Sequence, residues 1–432
     1  MTHMNGNRSV SVARHGPRLM AHRQRRSAGV VAGLSTLLLW STPLQHACAD
    51  VVNDWNDQVV AAGYAARVGN SVHSRNMAIM HIAMFEALNS IEPRYAPYLK
   101  RLPAEPGTSK DAAAAAAAHY ALVRLFPEQT KDFDKAYQAS LASVPEGPAR
   151  TNGIRLGEQA AAAMLAERSN DGADAAETYR PHTTPGKYVP TASPLSAAWG
   201  GVRPFGLKSG DAVRPPAPYP LAGAAWAKDY EEIRRIGAKT ASTRTAEQTD
   251  IARFWALTGP ATYNPVARQI AVAKNLNTLD NARMLALVSI ATADAAIAVF
   301  DAKYAYGFWR PVTAIRNGDI DGNDATERDA AWEPFIPTPM HPEYPCAHCI
   351  FQGSAAGVIA ALYGDAVPKF TMTSTTAPGV TRSFERLSDY VTEVINARIY
   401  EGVHYRASGE VGAAMGRRIA ANTVEHYLKP ID

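Results

Sequence analysis

Residues 279–304 read as one long apolar helix, with Leu285, Leu287, Ile290, Ala293, Ile297 and Phe300 among its apolar positions. An element apolar on nearly every side has to be surrounded by other elements, which places it at the centre of a bundle. Asp294 interrupts the run, so one face of the helix is expected to be polar or to lead toward a site. Helical spacing recurs along the rest of the chain. Residues 74–91 start on a serine cap and aim Met77, Ile79, Met80, Ile82, Ala83 and Phe85 at a core. Residues 110–126 and 150–168 are alanine-rich helices, and residues 245–257 open with a capping box of Thr245 and Gln248. Three more helices are expected over residues 346–363, 382–400 and 408–427. Signals for β-structure are scarce. The expected fold is therefore all-α, a large helical bundle with long irregular loops.

Two stretches break the helical pattern. Residues 171–222 are rich in proline, glycine and threonine, and a loop that long is expected to wrap the bundle or cover a site. Residues 318–345 end in Pro334, Pro337, Pro339, Pro342 and Pro345, a density that holds the chain extended.

The N-terminus differs from the rest. Residues 1–49 contain six arginines (Arg8, Arg14, Arg18, Arg23, Arg25 and Arg26) and no acidic residue, then an apolar run and the small-x-small triplet Ala47-Cys48-Ala49. This is the three-part plan of a secretory signal peptide, so export to the periplasm or medium is expected. Without those six charges the formal net charge falls from +4 to −2, which leaves no basic patch for nucleic acid. No later apolar run is expected to reach transmembrane length. The expected organisation is a signal peptide over 1–49, an N-terminal helical region over 50–275 and a C-terminal helical region over 276–432. A homo-oligomer is compatible with the sequence, which leaves the oligomeric state open.

Candidate chemistry gathers in the last third of the chain. Lys303 and Arg310 are seven residues apart, which on one continuous helix returns to nearly the same face about 10 Å along. Two buried cations so placed repel unless an anion lies between them; alone, the pair reads equally well as snorkelling surface charges. In His341-Pro-Glu-Tyr-Pro345-Cys346-Ala347-His348, Pro345 is expected in the first turn of a helix whose Cys346 and Ala347 N–H groups face an oxyanion. His348 in that turn can transfer a proton near neutrality. In Arg398-Ile-Tyr-Glu-Gly402-Val-His404, the glycine ends a helix and His404 follows from a turn, while Arg398 offers a fork for two oxygens.

Together these segments resemble the K-x6-R-P, P-x-x-H and R-x5-H triplet of the vanadium haloperoxidases and the acid phosphatases related to type 2 phosphatidic acid phosphatases. The segments Asp54-Trp55-Asn56 and Ser74-Arg75-Asn76 are similar to bacterial haloperoxidase-like proteins. The resemblance implies an enzyme with a vanadate cofactor, oxidising halide with hydrogen peroxide. Lys303, Arg310 and Arg398, with the Cys346–Ala347 turn, would neutralise the oxyanion. Lys303 would also polarise bound peroxide, His404 would be the axial vanadate ligand, and His348 would be the acid–base. The alternatives are a metal-free phosphomonoesterase with His404 as nucleophile, or a non-catalytic oxyanion-binding protein. Substrates would be small molecules in each catalytic case.

The sequence departs from the family pattern P-S-G-H, having Pro345-Cys346-Ala347-His348. A thiol donates more weakly than a hydroxyl, and Cys346 with Cys349 forms a C-x-x-C pair that could be a local disulfide, a redox motif or a reactive thiolate exposed to peroxide. A zinc site of Cys346, His348 and Cys349 does not suit tetrahedral geometry. Ser408 stands where phosphatases of this type often carry an acid, so His404 is expected to lack an acidic partner, which favours the ligand role over the nucleophile. His341 stands where the family's chloroperoxidases tend to have phenylalanine and its bromoperoxidases histidine, which leans toward bromide over chloride; the bland alternative is a histidine packed on Pro342.

Overall fold

The computed structural model describes residues 50–190 and 192–431, so the expected signal peptide lies outside the described residues. Residues 49–432 make one compact unit. Its helices are α1 (Val51–Ala65), α2 (Asn70–Ile91), α3 (Lys110–Leu125), α4 (Thr130–Ala142), α5 (Pro148–Glu167), α6 (Ala224–Ile236), α7 (Ala246–Trp255), α8 (Asn264–Ala273), α9 (Thr278–Tyr306), α10 (Pro311–Arg316), α11 (Ala347–Tyr363), α12 (Leu387–Tyr400) and α13 (Arg406–His426). Between α11 and α12 lies an antiparallel hairpin of β1 (Ala366–Thr373) and β2 (Thr381–Arg386).

Helix α9 is central, as its composition dictates. It packs against α2 on one side and α11 and α13 on the other, and almost every residue from Leu279 to Lys303 is buried. Its length and hydropathy do match a membrane span, contrary to the expectation that no run would. Its apolar surface is covered by neighbouring helices. The Asn277 side chain caps its first turn, and Gly307 in the left-handed region ends it.

Asp294 does not lead to a site. Its carboxylate is fully buried and accepts the N–H groups of Phe205, Gly206 and Leu207 at 2.6, 2.8 and 2.8 Å. Burial raises its pKa to about 6, against those three hydrogen bonds. The long stretch over 171–222 is thus irregular, as expected, and is pinned to the core by the one acid that interrupts the central helix.

Two other expectations fail locally. Ser74 is a full turn inside α2, where its hydroxyl bonds the Asn70 carbonyl; the cap position is Gly69. The helix expected from residue 382 begins at Leu387, because residues 381–386 pair with β1 and stack Phe384 on Phe370 at 5.6 Å. By contrast, the capping box of Thr245 and Gln248 is present in both directions.

The two helices that flank the site, α11 and α13, meet backbone to backbone. A Cβ on Gly353 would fall 2.6 Å from the Ala413 carbonyl oxygen, and one on Gly416 would fall 2.4 Å from that of Ile350. Only glycine permits this approach.

Candidate oxyanion site

The site is built at three chain breaks, where helices end and side chains turn inward. Lys303 lies in the last turn of α9, Arg310 caps α10, and the two are not on one continuous helix because Gly307 stops α9 between them. Both are nonetheless buried and converge from separate elements. The Lys303 Nζ donates to the carbonyls of Pro342 and Glu343 at 2.7 and 2.8 Å. Both contacts fasten the proline-rich loop to the end of α9. Arg310 joins that loop to the turn after α12: its Nε donates to the His341 carbonyl at 2.8 Å and one Nη to the Val403 carbonyl at 2.8 Å.

The turn before α11 is arranged differently from the expectation. Cys346 is the cap, not a helical residue, and Pro345 stands outside the first turn. The Cys346 N–H is consumed by the Ser408 carbonyl at 3.1 Å. Among the described residues, the Ala347 and His348 N–H groups, the first two of the helix, have no backbone acceptor. The Cys346 sulfur accepts the Cys349 N–H at 3.3 Å, the cap contact a serine hydroxyl would make.

His404 follows Gly402, whose φ of 77° turns the chain after α12, as the sequence indicates. Its Nδ1 lies 2.7 Å from Glu343 Oε1, and the Tyr405 N–H donates to that same oxygen at 3.1 Å. An Arg310 guanidinium N–H can only donate, so His404 Nε2 accepts and the ring proton lies on Nδ1, toward Glu343. That Nε2 is 3.2 Å from an Arg310 Nη. The expectation that His404 lacks an acidic partner is therefore wrong. Glu343 supplies it from a remote loop, with the Ser408 hydroxyl beside the carboxyl group.

Arg398 forms a buried ion pair with Glu401, one turn along α12. Its Nη1 is 3.5 Å from His348 Nε2, and its Nε is buried without a partner among the described residues. His348 Nε2 lies 3.0 Å from the Leu257 carbonyl, so this nitrogen carries the ring proton. His341 is more than a histidine packed on Pro342: its Nδ1 is 2.9 Å from an Arg310 Nη and its ring meets the Phe300 edge at 5.3 Å.

Arg398, His404, His348, His341 and Ala347 share one cavity of about 530 Å³, walled on one side by the extended segment 336–340. Lys303 and Cys346 do not line it; they lie fully buried behind its wall. Arg310 faces a neighbouring cavity across that same proline segment.

Electrostatics shows what the cavity lacks. Burial, then the Arg310 charge, holds the Lys303 pKa well below its ordinary range. Burial, with Arg310 and Lys303 beside it, depresses His404 in the same way, and burial with Arg398 depresses His348. Burial pushes Glu343 and Glu401 up to about 8 against the pull of their cationic neighbours. Lys303 and Arg310 are thus two buried cations, each lowered by burial and by a neighbouring cation, beside the raised carboxyl of Glu343. A tetrahedral oxyanion fits: it would meet the unpartnered Arg398 Nε, the free N–H groups of Ala347 and His348, and the His404 lone pair. No group of three His, Cys, Asp or Glu at metal-ligand distance occurs among the described residues.

Comparison with known proteins agrees with this architecture. Residues 283–432 match the family described as the VCPO second helical-bundle domain. A vanadium chloroperoxidase of Curvularia inaequalis is 28% identical over 170 residues, which cover 32% of this chain and 28% of that protein. The chain thus spans well under a third of that relative's length. The structure superposes on that of the first bacterial vanadium-dependent iodoperoxidase with a TM-score of 0.75 at 24% identity, covering 88% of this chain and 98% of the other. For the holo form of a bacterial vanadium-dependent chloroperoxidase the TM-score is 0.68 at 16% identity, with 83% and 91% covered. The chain is related to the vanadium haloperoxidases, carries their second helical-bundle domain over residues 283–432 and has the fold of their bacterial members.

Proposed function

We propose that this protein is a vanadate-dependent haloperoxidase that oxidises bromide in preference to chloride with hydrogen peroxide. The observation that carries the proposal is the buried cluster of Lys303, Arg310 and Arg398 around a histidine whose Nε2 lone pair is held ready by Glu343. Vanadate would be held by His404 Nε2, by Arg398 and Arg310, and by the Ala347 and His348 N–H groups. When bound it supplies a Lewis acid that activates peroxide toward halide attack. The protein's own part is to fix and neutralise. Glu343 keeps the His404 proton on Nδ1 and orients the ring. Lys303 fastens the proline-rich loop to the end of α9 through two carbonyls. His348 exchanges protons with an oxygen in the site. His341, beside Arg310 in the cavity wall, offers a polar surface to the halide and is the basis for the bromide preference.

A second reading has support from one observation. The Glu343–His404 pair also suits a phosphomonoesterase, in which Nε2 would attack phosphorus. The two readings separate in parallel assays on phosphate-free protein. Oxidation of bromide and iodide that requires added orthovanadate, with slower chloride oxidation, supports the haloperoxidase. Hydrolysis of p-nitrophenyl phosphate that orthovanadate inhibits, without halide oxidation, overturns it.

Export belongs to the same proposal and rests on the six arginines, the apolar run and the Ala47-Cys48-Ala49 triplet. Protein recovered from the periplasm or medium of an expressing bacterium should begin after residue 49. Recovery of the full chain from the cytoplasm alone would contradict it.

A further inference from the structure

Two thiols stand behind the oxyanion cradle with no part in halide oxidation. Cys346 caps α11 and Cys349 lies one turn on, so the helix itself places both sulfurs on one side, 2.7 Å apart. Both are free and fully buried. Ala347 and His348, the residues between them, line the cavity. Helix α13 closes the other side of Cys349, with a Cβ on Gly409 falling 3.6 Å from its sulfur. The Cys349 sulfur therefore has Cys346 as its immediate reactive neighbour. Burial opposes a Cys346 thiolate, but the hydrogen bond from the Cys349 thiol, then the Arg398 charge, the Cys349 N–H and the Lys303 charge outweigh it at this helix N-terminus.

We propose that Cys346 and Cys349 are a redox-active dithiol that a hydroperoxide entering the adjacent cavity converts to an intramolecular disulfide. The proposal takes its oxidant from the haloperoxidase reading, since hydrogen peroxide is that reaction's co-substrate, but the thiol chemistry needs neither vanadate nor halide. The Cys346 thiolate attacks one peroxide oxygen and the O–O bond breaks. This leaves a sulfenic acid on Cys346 and a hydroxide that takes up the thiol proton as water. The Cys349 sulfur then attacks the sulfenic sulfur, the S–S bond forms, and the S–O bond breaks to release a second water carrying the Cys349 proton. Two thiols lose two electrons and one peroxide becomes two waters. A lone thiolate in this place would climb to sulfinic acid; a resolving neighbour one turn away stops it at the reversible stage.

The test uses the whole chain with no vanadate and no halide. The protein is treated with hydrogen peroxide, denatured in an alkylating reagent and digested, and the peptide spanning residues 346–349 is weighed. Both thiols of that peptide should be alkylated before treatment, neither after it, and both again after dithiothreitol. Cys349→Ala should instead leave a sulfenic acid on Cys346 that dimedone traps. The proposal is overturned if both thiols of the native protein remain alkylated after excess peroxide. It is equally overturned if they pass to sulfinic or sulfonic acid with no disulfide. An absence of halide oxidation would leave a positive result standing, and resistant thiols would leave the haloperoxidase reading standing.

Discussion

His404 and Glu343 form the pair on which the site's chemistry turns. Residue by residue, the sequence exposes the cations and histidines well, because each sits in a segment whose spacing resembles a known triplet. It hides the carboxylates. Glu343 lies inside the segment that holds His341 and His348, and Glu401 lies between Arg398 and His404, yet neither has a spacing that marks it. Their roles follow from burial: Glu343 meets a histidine sixty-one positions away, and no periodicity encodes that contact. Glu343→Gln should lower halide oxidation by about 10- to 100-fold while leaving the circular dichroism unchanged, since an amide no longer favours the Nδ1 proton. An unchanged rate would show that His404 needs no partner. Glu401 contributes to the pH dependence, together with Glu343. Below its pKa of about 8 it is neutral and leaves Arg398 to an anion; above, it ionises and claims that guanidinium. The rise in melting temperature caused by sulfate, whose own charge is constant there, should therefore shrink as pH passes upward through about 8. Glu401→Gln should shrink the pH step, and an undiminished step in this variant would assign it to Glu343, raised to the same value.

Among the elements, the long helices and the two irregular stretches are legible because hydrophobic period and proline density extend over many residues. Ends are less legible. Whether a helix continues from Lys303 to Arg310 depends on Gly307, and the break there places two cations on separate elements that still converge. The start of α11 moved by one residue from the expectation because the Ser408 carbonyl takes the Cys346 N–H. That shift turns Cys346 from an oxyanion donor into a cap. Cys346→Ser should accordingly raise stability, by about 1 kcal/mol in urea unfolding, because a hydroxyl caps better than a thiol. Halide oxidation should be preserved or raised, and a marked loss would assign the thiol a part in catalysis. The β-hairpin went unread for a different reason: it is short, and its buried residues Val367, Phe370, Met372 and Phe384 gain their core from distant partners such as Tyr390. The α11–α13 contact makes its own prediction. Gly416→Ala places a methyl against the Ile350 carbonyl and should cost about 1–3 kcal/mol. Since α11 carries Ala347 and His348, halide oxidation should fall with it, and a variant as stable and active as the parent would mean the helices can part freely.

At the scale of the molecule, the bundle follows from α9, whose apolar circumference demands helices on every side and receives them from α2, α11 and α13. The site then sits where α9, α11 and α12 end close together, with the proline segment 336–340 as its wall. Composition could place such loops on the surface but could not say that one is pinned by Asp294 and another by Lys303 and Arg310. The central claim is that this wall encloses an oxyanion cradle that would hold vanadate at His404. Its most direct test is an orthovanadate titration of the phosphate-free protein, following bromide oxidation by hydrogen peroxide with a phenolic dye. The rate should rise from zero to saturation with vanadate, fall when phosphate is added back, and stay at zero in His404→Ala. A rate indifferent to vanadate, or one that His404→Ala retains, would contradict the account.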